Sequence, residues 1–477
     1  MIATPSTRLS RLTFDRSRAT LLAGGVMVFA TCILAAIFYT PFVFQLNYLI
    51  PMVALGIGGW LYLTNPMLYL GFTWWMWFIA ALLRRLVDWQ VGYYNPLSYI
   101  ILTPYLLSGL SLFTMLRILP RLLSSAFQPY LLALAGVLYG YLIGIVRVGL
   151  FAATFGLLEW IVPLLLSIHL VAEWKRYPMY RSVVRSTFLW GALLMGAYGI
   201  WQYFAIAPWD AMWMTWSGMN SIGQPEPLMV RVFSTLNSPG PYAVVMMAGL
   251  VLLFDGRGSL ALLAMAPGYV GFMLSLVRSA WGGWIVALGY AVYRLHGKHR
   301  MRLLVLLVLG ILAGLPMLMR GAMSEQVGAR VESMGNLTSD NSFDARTDLY
   351  AIATVQALTT PLGLGVGSMG KATKLESGEV YSFDSGLLAI PYTLGWLGTV
   401  FYVGGLGLLL WRVLRVSSRE TDPFAVLAIA VAVAMVAQLV FSNQLTGLGG
   451  MLIWSFLAMA QASRYYYDAY DPAPEEG

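Results

Sequence analysis

Cysteine and histidine are nearly missing from this chain, with one Cys (Cys32) and three His (His169, His296, His299) in 477 residues. A lone cysteine inside an apolar run excludes a disulfide framework and a thiolate metal site. The histidines fall in predicted spans or at their cytoplasmic ends. The outer face is therefore left without a His/Cys metal centre or a His-based catalytic triad. Charge is scarce too: Asp, Glu, Lys and Arg make up 10% of the chain, against about 25% in soluble domains. The acids are dispersed. The densest run, DNSFDARTD at 340–348, lacks the mid-loop Gly and the terminal Glu of a calcium loop. No nucleotide motif faces the cytoplasm, which argues against ATP-driven transport. The expectation is an activity that needs no metal and no cofactor.

What is abundant is apolar. The chain is 59% hydrophobic, with 17 Trp, 27 Tyr and 48 Gly and a mean hydropathy of +0.72. Its apolar runs are about 17–22 residues long, the length that crosses a bilayer as a helix. They do not alternate as barrel strands would. The sequence thus predicts an all-α, polytopic helical membrane protein of about 12–14 transmembrane helices, with two long periplasmic loops carrying short helices. Residues 1–205 supply N-terminal spans, 206–239 the first long loop, 240–319 central spans, 320–384 the large loop, and 385–477 C-terminal spans with a short cytoplasmic tail. The predicted first span, 19–38, follows the basic stretch RLSRLTFDRSR and reads as uncleaved, with its N-terminus in the cytoplasm.

The net charge of +8 follows topology rather than a nucleic-acid partner. Nineteen of the 29 Lys and Arg residues fall in short connections on one side, which the positive-inside rule makes cytoplasmic. The ten outer cations are left without a topological reason. Arg84 and Arg85 stand beside Asp88, as expected for snorkelling and pairing at the interface. Arg147 and Arg278 occupy tight outer turns near membrane depth, where charge usually faces a polar cavity.

The first long loop holds Trp209, Trp213 and Trp216. They read either as an interfacial belt or as a stacking surface for sugar rings or a lipid head group. It closes on Arg231-Val-Phe-Ser-Thr-Leu-Asn237-Ser-Pro-Gly-Pro, a cation joined to a turn signal before a span. In the second, Met323, Val327 and Val331 are spaced for an amphipathic helix on the membrane surface. A further helix is predicted over 345–359, capped by Ser342 or Asp344. Arg346 falls in its first turn, where a cation opposes the macrodipole. It must be held by Asp344 or Asp348 or be reserved for an anionic ligand. The turn Pro361-Leu-Gly-Leu-Gly-Val-Gly367 is a weak phosphate loop, with no strand before it and no Lys-Ser/Thr after it. Its expected role is to let backbone pass close to a neighbour.

Arginines, a few carboxylates and many aromatics beside a bilayer suit a lipid-linked diphosphate. Arginine binds phosphate oxygens bidentately. The diphosphate is already a good leaving group, so positioning an acceptor hydroxyl and accepting its proton would suffice.

These residues resemble the O-antigen ligase and polymerase superfamily of membrane glycosyltransferases. The likeness rests on Arg231…Asn237-Ser-Pro-Gly-Pro before a span, on LSLVRSAWGGWIVAL at 274–288, and on Arg346…PLGLGVG followed by FDSGLLAIPYTLGWLG. It covers roughly 190–445. The resemblance implies glycan transfer from an undecaprenyl-diphosphate-linked donor to a glycan acceptor, at the periplasmic face of a bacterial inner membrane. It makes Arg231, Arg278 and Arg346 the phosphate-binding arginines. Arg147, Asn237, Trp213 and Tyr381 are candidate substrate-binding residues. Where ligases of the family carry a loop histidine, this chain has Phe383-Asp384-Ser385. That departure favours a polysaccharide polymerase, with Asp384 either a base or a cap for the following span. Membrane lipids, and for a polymerase a chain-length regulator, are the further implied partners; nucleic acid is not. A ligase using another acceptor is the alternative. A flippase or transporter is a third reading, disfavoured by few mid-span charges beyond Glu159 and by no internal repeat.

The orientation is testable in a Cys32→Ala background. A cysteine at Thr215 should react with an impermeant maleimide added outside spheroplasts, and one at Ser124 only after permeabilisation; the reverse pattern would invert the topology.

Overall fold

A computed structural model describes residues 42–256, 258–318, 354–355, 357–370, 373, 385–415 and 422–470. The predicted span 19–38, the surface helix around 323–331, and Arg346, Tyr381 and Asp384 lie outside the described residues. Of the helix predicted over 345–359, positions 354–355 and 357–359 are described and helical.

The protein is an all-α multi-pass membrane protein. Eight of its helical segments are long and apolar enough to cross a bilayer, and two apolar helices are shorter. In chain order the helices are α1 (Val43–Thr64), α2 (Pro66–Val91), α3 (Thr103–Gly109), α4 (Ser111–Arg117), α5 (Gln128–Arg147), α6 (Leu150–Ala172), α7 (Tyr177–Phe204), α8 (Pro208–Trp216), α9 (Pro239–Leu252), α10 (Ser259–Leu274), α11 (Arg278–Arg294), α12 (Gly297–Leu318), α13 (Gly386–Leu414), α14 (Pro423–Ala437) and α15 (Gly447–Tyr470). A 3-10 turn at Tyr99–Leu102 leads into α3 and α4, and the three together make one span.

Local chemistry sets the helix ends. The Asn65 side chain accepts the Leu68 N–H at 3.3 Å, and Pro66 starts α2 where its missing N–H costs nothing. Hydropathy alone ends this span near residue 83. The helix instead continues through Arg84, Arg85 and Asp88, all at most 5% exposed, and stops at Gly92. The charged turn can stay helical because other parts of the fold supply its partners.

Connections keep to their own end of the bundle. At the basic end, Arg181 lies between Asp255 and Asp422 at 3.3 and 2.7 Å, and Arg185 joins Asp255 at 3.2 Å. Burial pushes the Asp422 carboxyl above its usual range, and Arg181 pulls it back. At the opposite, loop end sit the Arg84–Asp88 and Arg85–Asp210 pairs. Among the described residues, these pairs join groups that the charge pattern assigns to the same side.

Small residues let the helices approach, as packing in lipid requires. α13 runs along α5, α10 along α7, and α15 along α6. A close approach is made by the turn Pro361–Gly367, which is a re-entrant segment wedged among α5, α6 and α13. Val366 donates its N–H to Gly140 O at 2.8 Å, Leu364 to Tyr392 O at 2.9 Å, and Gly365 to Thr393 O at 3.0 Å. The carbonyls of Tyr392 and Thr393 are open to it because α13 breaks at Gly395, whose φ is 65°. Gly140 lies seven residues inside α5, so the turn dips about 10 Å below the helix end. Irregular backbone survives at such depth only when protein satisfies its polar groups, as happens here. A Cβ on Gly365 would lie 2.3 Å from the Gly144 backbone, and its φ of +92° is already one that only glycine adopts without strain.

Gly365→Val should therefore destabilise the protein by about 2–4 kcal/mol, the sum expected for strain and overpacking. Gly404→Ala, where a Cβ meets nothing within 4 Å, should be neutral or slightly stabilising. Thermal unfolding in detergent checks both.

Candidate functional site

The loop end contains a cavity of about 520 Å³. It lies where helices begin below the ends of their neighbours. α9 has 14 residues, about 21 Å, where the hydrocarbon alone spans ~30 Å. α15 begins beside the middle of α6: a Cβ on Gly450 would sit 3.0 Å from Pro163. The N-terminal residues Pro239–Pro241 of α9, Ser279 of α11 and Gly447–Gly449 of α15 all line the depression. Three helix dipoles thus turn their positive ends toward one space, the arrangement that favours an anion. Pro239 and Pro241 bring no N–H, so α9 contributes dipole more than donors. Polar side chains complete the wall: Ser221, Asn237, Ser442, Asn443, Gln444 and Thr446. The Oδ1 atoms of Asn237 and Asn443 are buried and have no hydrogen-bond partner among the described residues, as in a site shaped for a polar ligand.

One wall is the segment Arg231–Pro241, and a buried network holds it. Arg85 and Asp210 form an ion pair at 2.9 Å with both side chains fully buried. Arg85 also donates to Ser234 O at 2.5 Å and lies 4.8 Å from the Phe233 ring. Asp210 accepts from Tyr198 Oη at 2.9 Å and from Gln202 Nε2 at 2.6 Å. The other end of the Gln202 amide accepts the N–H groups of Phe233 and Ser234. Burial pushes the Asp210 carboxyl above its usual range, opposed first by Arg85 and then by the Gln202 and Tyr198 donors. Ser234, at φ 50°, is held in the left-handed region by these bonds.

Arg231 lines the cavity. Its guanidinium donates to Ser221 O at 2.9 Å and Leu276 O at 3.1 Å, tying its own segment to the turn before Arg278. Arg278 is the first residue of α11, between Val277 and Ser279, which both line the cavity. Ser385, next to Asp384 in sequence, donates to Leu439 O at 3.5 Å, and Gly386 packs against Ser442 O. The stretches around Arg231 and Arg278 therefore meet around one space, and Gly386 abuts it through Ser442. Asn237 is part of its lining. Trp213 is buried one layer behind, donating its indole N–H to Asn237 O at 3.0 Å and lying 4.9 Å from the Arg84 guanidinium. It supports the wall and is not among the described lining residues. Arg147 is the exposed last residue of α5 and does not line the cavity either. Arg346, Tyr381 and Asp384 are not described.

Sequence reasoning passed over two contributors. Positions 443–446 read only as a short link between predicted spans at 423–442 and 447–463, although Asn443, Gln444 and Thr446 all line the cavity. Glu159 was noticed only as a stray mid-span charge, yet it lines the cavity. Neither family models nor curated proteins give a match to this chain. Among the described residues there is no group of three or more His, Cys, Asp or Glu placed to hold a metal ion.

Removing one partner of a buried ion pair costs about 3–5 kcal/mol. Arg85→Met and Asp210→Leu should each lower thermal stability by that order in a detergent melt. The double variant should be less destabilised than the sum of the two. Strict additivity would mean the pair is not coupled.

Proposed function

We propose that this protein is a membrane glycosyltransferase that polymerises undecaprenyl-diphosphate-linked repeat units at the periplasmic face of the inner membrane. The observation that carries this reading is Arg231 in the wall of a cavity toward which three helix N-termini point. Positive dipoles and a guanidinium held by two backbone carbonyls suit a diphosphate that must gain charge as it leaves. Hydroxyls and amides around the same space suit sugars, and the cavity lies within the lateral reach of a lipid-borne donor. Arg278 and Arg346 would share the diphosphate, and Asp384 would stand where ligases of the family carry their loop histidine. A ligase that hands the glycan to another acceptor uses the same donor half, so the acceptor separates the two activities.

A second reading, a flippase or transporter, gains support from a mid-span carboxylate in the cavity and from the broken helix α13. Flux of lipid-linked glycan across vesicles with no new glycosidic bond would establish it and sink the polymerase.

In reconstituted protein, Arg231→Ala should cut extension of lipid-linked oligosaccharide by about 10²-fold, the order seen for loss of one transition-state donor. Arg231→Lys should recover only part, because the ammonium lacks the planar fork. Chain length on a gel reads the outcome; wild-type-length product from Arg231→Ala would contradict the assignment.

A further inference from the structure

We propose that Glu159 is the catalytic carboxylate that receives the proton of the acceptor hydroxyl, an inference that rests on the transferase reading above. Glu159 sits nine residues into α6, in the apolar run Leu157-Leu158-Glu159-Trp160-Ile161. An ionisable group at that position is costly and in general marks function. Of the described residues that line the cavity it is the sole acidic side chain, and Arg231 is the sole cationic one. Tyr105 donates its hydroxyl toward Glu159 Oε1 at 3.4 Å. The same hydroxyl lies beside Gly447, at the start of α15. On the other side, a Cβ on Gly370 would come within 4.0 Å of Glu159 Oε2. The end of the re-entrant segment is thereby brought to the carboxylate. Lys371, the next residue in sequence, is not described.

Glu159 therefore lines the cavity between an aromatic hydroxyl, a helix N-terminus and Gly370. In the step proposed, the acceptor hydroxyl oxygen bonds to the anomeric carbon of the donor sugar. The bond from that carbon to the diphosphate oxygen breaks, and its electron pair leaves with the diphosphate. The hydroxyl proton passes to Glu159 and from there to water. Charge separation across the cavity suits this division of labour, with cationic groups toward the diphosphate and a carboxylate toward the acceptor.

The test uses full-length protein in nanodiscs. Farnesyl diphosphate serves as the diphosphate probe, and lipid-linked oligosaccharide extracted from the source cells serves as donor and acceptor. Glu159→Gln should bind farnesyl diphosphate within twofold of wild type, while kcat falls at least 100-fold. The acid limb of the pH–rate profile, set by protonation of the base, should disappear. Glu159→Asp should keep an acid limb with kcat reduced about 10-fold, and it carries the test if Glu159→Gln does not fold. Asp384→Asn, run in parallel, should retain the acid limb whatever its rate. A Glu159→Gln protein within threefold of wild-type kcat, or one whose acid limb persists, overturns the assignment. Wild-type protein that binds the probe but forms no glycosidic bond overturns the transferase reading itself.

Discussion

The Arg85–Asp210 ion pair is the constraint on which the loop end of this molecule depends. Two fully buried charges cannot be left without partners, because desolvation of each would cost several kcal/mol. The pair is satisfied only if α2, α7, α8 and the segment after Arg231 come together. Gln202 makes the arrangement specific: its N–H group serves Asp210, and its carbonyl takes two successive backbone N–H groups from the wall segment. A chain turn of unusual conformation, Ser234 in the left-handed region, is the result. Arg231 and Asn237 are then set at the cavity by backbone held from behind, with little demanded of their own side chains.

A second constraint acts from the opposite wall and is steric. The Pro361–Gly367 turn can lie between α5, α6 and α13 only because glycines meet glycines there. Gly144, Gly156, Gly363, Gly365, Gly367 and Gly395 each would place a Cβ within 2.6 Å of neighbouring backbone. Such contact brings the N–H groups of the turn onto helix carbonyls exposed by the break in α13. The segment that emerges carries Gly370 to Glu159. Hydrogen-bonded backbone thereby joins the Pro361–Gly367 turn to α5 and α13 and brings Gly370 to the carboxylate on α6.

Much of this was legible in the chain, and the misses have physical causes. Hydropathy located the spans because bilayer thickness imposes a length on them. It stopped too early at Arg84 because a hydropathy window sees a charge and cannot see the Asp88 and Asp210 partners that bury it. Arg231 and Asn237 were found by their place before a span, where a turn and a cation coincide. Trp213 was legible as an aromatic near an interface; that it lies behind the wall, on Asn237 O, depends on a contact 24 residues away. Glu159 was visible but set aside, since a single mid-span acid gains meaning only from what it shares a cavity with.

Sequence alone determined the class of this protein and the positions of its eight long apolar helical segments, because those follow from local composition against a fixed solvent slab. It also singled out the glycines of the Pro361–Gly367 turn as residues for close backbone approach. Tertiary structure decided which charges pair with each other and which helices begin short. It brought the stretches around Arg231 and Arg278, the segment Phe441–Gly449 and Glu159 to one space. Those outcomes depend on contacts between residues tens to hundreds of positions apart, for which a linear chain holds no local signal.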